Sequence, residues 1–290
     1  SPTGPLHFGS LVAAVGSYLD ARAHGGEWLV RIEDLDTLRT VPGAAENILR
    51  TLEAFGFAWD GEVVYQSARA DLYQAALEKL REQDLIYPCA CSRKEIADSS
   101  IVGIDGLVYP GTCRSGVHQS TKTARALRVG TEEKLNKFND LLNGDVEQNI
   151  AKEIGDFVVW RADGLASYQL AVVVDDAAQG ITHVVRGADL LASTPRQIYL
   201  QQLLQLPTPY YLHLPVAVNT AGEKLGKQTL ATPLNASNPV PELLAALNFL
   251  GQPLPDRSMD LTELWSWANI RWSRENIPPQ HLMPNIRISS

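Results

Sequence analysis

Two stretches of the chain hold residues of the kind that handle phosphates. The first, Pro5-Leu6-His7-Phe8-Gly9-Ser10, lies where a loop runs into an apolar helical segment. A helix N-terminus offers unsatisfied N–H groups and the positive end of the backbone dipole, and a glycine lets a phosphate approach them closely. His7 would add a further donor. The second, Glu223-Lys224-Leu225-Gly226-Lys227-Gln228, sets two lysines in a loop around a glycine. Such lysines can neutralise the charge that develops on a triphosphate as pyrophosphate leaves. Alone, each stretch reads better as the ordinary thing, a structural turn histidine and a solvated lysine loop. Together, in this order and flanking an α/β region, they point to a single nucleotide.

A third constellation is Cys89-Ala90-Cys91 followed by Tyr109-Pro110-Gly111-Thr112-Cys113, which contains all three cysteines of the chain. Three cysteines are too few for a disulfide framework, but three thiolates suit structural Zn²⁺, which takes four tetrahedral ligands. By ordinary ligand chemistry the fourth would be His118. The competing reading is three free thiols in a small core.

These residues need elements to hold them. Residues 10–23 are rich in Ala and Leu at helical spacing and run into Gly25-Gly26, so a helix is expected there. Trp28 to Glu33 reads as a short strand delivering the acidic cluster Glu33-Asp34-Leu35-Asp36, and helices are expected over 43–55 and 71–83. Leu170 to Val174 reads as a strand buried on both faces and ended by Asp175-Asp176, and Ile181 to Val185 as another ended by Arg186-Gly187. Thr194-Pro195 reads as an N-cap and first helical residue leading into Arg196–Leu206. Helices alternating with short apolar strands indicate an α/β layer with a parallel sheet. The polar, cysteine-bearing stretch 88–155 reads as an insert. Helical spacing returns at Leu243, Leu244, Leu247, Leu250 and at Leu261, Leu264, Trp265, Ala268, as a small C-terminal α-helical unit.

Composition bounds the function. The chain has 290 residues, 45% of them hydrophobic, enough for a large core. Its net charge of −8 argues against a protein that grips nucleic acid along its whole surface, while leaving room for a local basic face. The longest purely apolar runs are far short of the roughly 20 residues that span a bilayer. The first residues lack the pattern of a signal peptide, so a cytoplasmic location is expected.

The segment Ser1 to Ser10, the strand end Arg31-Ile32-Glu33-Asp34, Val173-Val174-Asp175-Asp176, Val185-Arg186-Gly187-Ala188-Asp189 and Lys224-Leu225-Gly226-Lys227 together resemble the catalytic core of class I glutamyl-tRNA synthetases. The Gly-Ala-Asp-Leu after the arginine and the short length resemble the glutamyl-Q branch of that family. The resemblance covers most of residues 1–235. It implies a Rossmann-like α/β catalytic domain in two halves, 1–87 and 156–235, split by a zinc-containing, acceptor-binding insert at 88–155 and followed by the helical unit 236–290, without an anticodon-binding domain. It implies that His7, Gly9 and Ser10 form the first ATP signature and Lys224 and Lys227 the second. Ser1, Glu33, Tyr168 and Arg186 would line the glutamate pocket, and Tyr109 would join Cys89, Cys91 and Cys113 on Zn²⁺. The implied activity is ATP-dependent activation of L-glutamate, with Mg²⁺ accompanying ATP, and transfer to the queuosine base in the anticodon loop of tRNA(Asp). The physics agrees: glutamate carries two carboxylates and one ammonium, and Arg186 and Glu33, each at a strand end, supply one partner of each sign. Asp176 and His213 are expected beside the site as positioning residues.

Two departures from the family pattern stand out. Of the family's Arg-Phe-Ala-Pro-Ser stretch only Ser1 is present, and the arginine is expected upstream. Gly226 stands where the family usually has serine, which removes a hydroxyl from the loop and frees its backbone. The alternatives are a truncated glutamyl-tRNA synthetase charging the tRNA 3′ end, an adenylyltransferase that never meets RNA, and an inactive relative that only holds RNA.

Overall fold

The computed structural model describes residues 1–117, 124, 126–217, 232–279 and 287–288. The first half of the chain contains α1 (Phe8–Ala23), β1 (Arg31–Ile32), α2 (Ala44–Ala54), β2 (Val64–Tyr65) and α3 (Ala70–Glu82). All three helices lie within two residues of where their apolar spacing places them. The strand expected over 28–33 narrows to two residues, which pair in parallel with β2.

The middle stretch contains β3 (Ile86–Cys89), α4 (Arg93–Ser99), β4 (Val102–Gly103), β5 (Gly106–Leu107), β6 (Ala126–Val129), β7 (Leu135–Asp140), β8 (Gly144–Asn149) and α5 (Ile150–Glu153). Next come β9 (Phe157–Trp160), α6 (Tyr168–Ala178), β10 (His183–Gly187), α7 (Thr194–Leu204) and β11 (Tyr210–Leu214). The chain closes with α8 (Pro239–Phe249), α9 (Leu261–Arg271) and β12 (Arg287–Ile288).

The sheet that positions the site runs β10-β11-β7-β8-β12. β10 and β11 are parallel, and β11 and β7 are parallel. The β7–β8 hairpin is antiparallel, so the sheet is mixed, and a hairpin from within 88–155 extends the strands of the second half. A separate antiparallel sheet joins β3, β6 and β9.

One expectation fails outright. Leu170 to Val174 is not a strand but the centre of α6, in which Leu170 through Asp176 are all buried. A continuous apolar run fits a strand covered on both faces or a helix covered all round, and its pattern alone does not separate them. The flanks do: the Ser167 side chain accepts from the Leu170 N–H, and Gly180, at φ +65, follows the last turn. The start of α7 also differs. Thr194 is already helical and Ser193 stands at the N-cap, with Pro195 in the first turn.

Two apolar cores result. One packs Leu11, Val15 and Leu19 of α1 against Leu212 and Leu214 of β11 and against Leu243, Leu247, Leu264 and Ala268 of α8 and α9. The helical tail therefore shares the core of the first helix. Trp265 Nε1 donates to the Phe55 carbonyl at 2.8 Å, and Arg274 pairs with the buried Asp20 at 2.6 Å. The second core packs Tyr73 and Leu77 of α3, Phe157 and Val159 of β9, and Leu200 of α7 around α6. Among the described residues no helix is long and apolar enough to cross a membrane.

Candidate functional site

His7 is the N-cap of α1, where its Nδ1 accepts from the Ser10 N–H at 3.3 Å, and Ser10 Oγ lies 3.3 Å from Nε2. The imidazole thus organises the first turn as well as standing at its mouth. His7, Gly9 and Ser10 line a cavity of about 210 Å³ together with Gly187, Asp189 and Ala217. Lys224, Gly226 and Lys227 lie outside the described residues, as does His118. The chain on either side of the lysine stretch is described, and both sides come near the mouth of α1. Ala217 lines the cavity, while Pro233 forms an antiparallel bridge with His7 and Leu234 N–H donates to the Leu6 carbonyl at 3.0 Å.

A second group of polar side chains gathers at the ends of β1 and β10 and along α6. Arg31 donates through Nη1 to Asp176 at 2.9 Å and Gln179 at 2.8 Å, and through Nη2 to Glu33 at 3.3 Å. Arg186 donates through Nε to His213 Nε2 at 3.1 Å and through Nη2 to Thr194 and Gln197, each at 2.7 Å. Tyr168 stands within electrostatic reach of both charge groups. Burial raises the pKa of its phenol, Arg186 pulls it down, and Glu33 and Asp176 push it up. Asp176 is itself raised by burial, against the pull of Arg31 and Arg186.

The structure thus brings Glu33, Tyr168 and Arg186 together, and it places Asp176 and His213 beside them. Ser1 lines a cavity of about 380 Å³ with Arg31 and Glu33. A further cavity, about 670 Å³, is lined by Arg31, Glu33 and Asp176 together with Trp28 and His183. Sequence reasoning missed Arg31 as the shared partner of Glu33 and Asp176, although its place two residues before Glu33 on a strand sets both on one face. It also missed Asp140, Gln197 and the Thr194 hydroxyl, which holds Arg186 instead of capping its own helix.

The three thiols also converge. Their sulfurs lie within 4.8 Å of one another, with Cys91 and Cys113 at 3.4 Å. The Tyr109 hydroxyl is 3.5 Å from both the Cys89 and Cys91 sulfurs and accepts from the Cys113 N–H at 3.0 Å. Three sulfurs and a phenol oxygen gathered in one largely buried knot fit the donor set of a structural zinc centre, which takes four ligands. Burial and the neighbouring thiols push Cys91 up to about 11. Burial also opposes the Cys89 thiolate, but hydrogen bonds from Tyr109 and Arg128 outweigh it and lower the pKa of Cys89. The Arg128 guanidinium stacks 3.8 Å over the Tyr109 ring and donates to the Cys89 sulfur at 3.3 Å. Gly155 makes room for the tyrosine: at φ +74, a Cβ there would lie 2.2 Å from the Tyr109 carbonyl oxygen.

The profile of the family described as tRNA synthetases class I (E and Q), catalytic domain, matches residues 1–238. The chain is 58% identical over 282 residues to the glutamyl-Q tRNA(Asp) synthetase of Aromatoleum aromaticum, covering 97% of this chain and 89% of that protein. It is also 58% identical over 287 residues to the protein of the same name from Dechloromonas aromatica, covering 98% of this chain and 95% of that protein. Among solved structures, the glutamate-tRNA synthetase of Elizabethkingia anophelis superposes with a TM-score of 0.75 at 24% identity, over 97% of this chain and 66% of that one. The chain spans about two thirds of that longer protein, and the likeness at this identity is one of fold.

Proposed function

The chain belongs to the class I tRNA synthetases of the glutamate and glutamine (E and Q) group, and from that premise we propose that it activates L-glutamate with ATP and passes it to the queuosine base of tRNA(Asp). It is an aminoacyl-tRNA synthetase-like ligase. The relatives that match it over nearly their whole length carry that activity in their name.

The observation that carries the residue assignments is the convergence of Glu33, Tyr168 and Arg186 one strand-end away from the His7 mouth of α1. In this reading Arg186 takes a carboxylate of glutamate and Glu33 takes its ammonium, while Ser1 and Tyr168 line the pocket. The substrate α-carboxylate attacks the α-phosphate of ATP in line, giving glutamyl-adenylate and releasing pyrophosphate. The N–H groups at the start of α1, His7, Gly9 and Ser10 hold the phosphates, and Lys224 and Lys227 would neutralise the charge that develops on the leaving pyrophosphate. Mg²⁺ bound with ATP supplies further neutralisation of phosphate charge. The protein contributes position and field rather than a nucleophile. The acyl group is then transferred to the cyclopentenediol of queuosine in the anticodon loop, with release of AMP. Cys89, Cys91, Cys113 and Tyr109 would hold a structural Zn²⁺ that fixes the fold of the 88–155 region. A reaction on tRNA places the protein in the cytoplasm.

Glutamate-dependent ATP–pyrophosphate exchange tests the first step, and nuclease mapping of radiolabelled glutamate on tRNA tests the second. Label in the anticodon loop is the expected result. Label at the 3′ terminus would instead mark a shortened glutamyl-tRNA synthetase, and no exchange at all would mark an inactive relative.

A further inference from the structure

Arg186, His213 and Asp140 stand side by side on three adjacent strands. Arg186 of β10 and His213 of β11 are direct partners in the parallel register. β11 in turn meets β7 at Tyr211 and Asp140. We propose that Asp140 and His213 are positioning residues for amino-acid recognition, forming a buried relay that orients the Arg186 guanidinium toward the substrate carboxylate. The inference rests on the assignment of Arg186 to glutamate given above.

The hydrogen bonds leave one self-consistent assignment. The Asp140 carboxylate, on a residue 1% exposed, accepts from His213 Nδ1 at 2.6 Å and from the His213 N–H at 3.1 Å. It also accepts from the Asn143 N–H at 2.9 Å and the Asn143 side-chain amide at 2.7 Å. Burial opposes the charge on Asp140, but these donors outweigh it and lower its pKa. With a carboxylate on one side, the His213 proton stays on Nδ1, and Nε2 keeps its lone pair. That lone pair accepts the Arg186 Nε–H at 3.1 Å and the Thr194 hydroxyl at 3.0 Å. The same hydroxyl accepts from Arg186 Nη2, as does Gln197. Burial lowers the pKa of His213, with Arg186 working in the same direction against Asp140 and Asp189, so the ring stays neutral beside the cation.

Arg186 is thereby held at Nε and Nη2, over the Tyr211 ring at 5.5 Å. Its Nη1 has no protein acceptor among the described residues. A guanidinium fixed along one edge presents the remaining N–H groups to a ligand without losing side-chain freedom on binding. His213 itself is fully buried, so it acts through the arginine rather than on the substrate.

Steady-state pyrophosphate exchange with Asp140→Asn, His213→Leu, His213→Gln and Thr194→Val, run beside the unsubstituted chain, separates the possibilities. Asp140→Asn and His213→Leu are expected to raise the glutamate KM about tenfold or more, the scale of a lost charged hydrogen bond, with the ATP KM within about twofold. His213→Gln, which keeps a neutral acceptor, is expected to recover most of that loss. Thr194→Val changes little volume and should raise the glutamate KM several-fold even where the buried Asp140 and His213 variants fold poorly. Unchanged glutamate KM in folded variants overturns the proposal, as does a parallel rise of both KM values with a lower melting temperature. Absence of glutamate-dependent exchange in the unsubstituted chain overturns the functional assignment instead.

Discussion

His7 faces Pro233 in an antiparallel bridge that ties the first residue before α1 to the chain leaving the lysine loop. The mouth of α1 is thus fastened through backbone to the chain at Pro233. This predicts that His7→Ala and Lys227→Ala each lower kcat for pyrophosphate exchange by about a hundredfold to a thousandfold, as removal of a donor to developing charge does elsewhere. His7→Ala should in addition cost about 1 kcal/mol of stability through the lost cap, whereas Lys227→Ala should leave the melting temperature unchanged.

Glu33→Gln keeps the shape of the side chain and removes its charge. A hydrogen bond to a charged group contributes about 1.5–3 kcal/mol. The glutamate KM is therefore expected to rise tenfold to a hundredfold, with the ATP KM unaffected. An unchanged KM would place the substrate ammonium elsewhere.

The knot of Cys89, Cys91, Cys113 and Tyr109 is expected to hold one zinc per chain in elemental analysis of the purified protein. Cys91→Ser should lose most of that metal and lower the melting temperature, and a chelator should do the same to the unsubstituted chain. Full metal content in Cys91→Ser would exclude that sulfur as a ligand.

Asp156 is 2% exposed and accepts from Tyr87 at 2.5 Å, from the Thr131 N–H at 2.8 Å, and from Arg114. Burial opposes its charge, but Arg114, Tyr87 and Thr131 outweigh that and lower its pKa below the ordinary 3.8. A carboxylate with a depressed native pKa gives the unfolded chain the greater proton uptake on the acid side. Its stabilisation is therefore complete above the ordinary carboxylate range and is lost as pH falls through 3.8 toward the native value. Urea midpoints measured from pH 6 to pH 3 should fall steeply for the unsubstituted chain and less steeply for Asp156→Asn. The variant should also be about 1–3 kcal/mol less stable at neutral pH, a modest figure because Arg114 is half exposed and regains water.

The helices of the first half were legible in the sequence because Leu11, Val12, Val15 and Leu19 repeat at helical spacing and Gly25 marks the stop. The stretches around His7 and Lys224 stand out in the sequence because their residue types are few and their order is fixed; the second lies outside the described residues. What was not legible depended on neighbours far along the chain. The run from Leu170 to Val174 is surrounded on every side, so its hydrophobicity carries no period, and only Ser167 and Gly180 marked it as a helix. The β7–β8 hairpin carries polar residues on its exposed face and was absorbed into an insert. Its Asn143-Gly144 pair was the available signal. Asp140 follows from that omission, since its importance comes from standing next to His213, 73 residues away in the chain. The sequence suggests a local role for Thr194 because a hydroxyl before proline is a common cap, and the half-buried guanidinium of Arg186 claims it instead.

The shared core of α1, α8 and α9 sets an order of events during synthesis. α1 leaves the ribosome well before its cover, because the residues that pack on Leu11, Val15 and Leu19 include Leu243, Leu247 and Leu264, more than 200 positions later in the chain. The apolar face of α1 therefore stays open until α8 and α9 have been made, and nascent chains expose it to aggregation in that interval. Trimming the tail would not shorten the protein at its margin. It would strip the backing from α1, the helix that His7 caps.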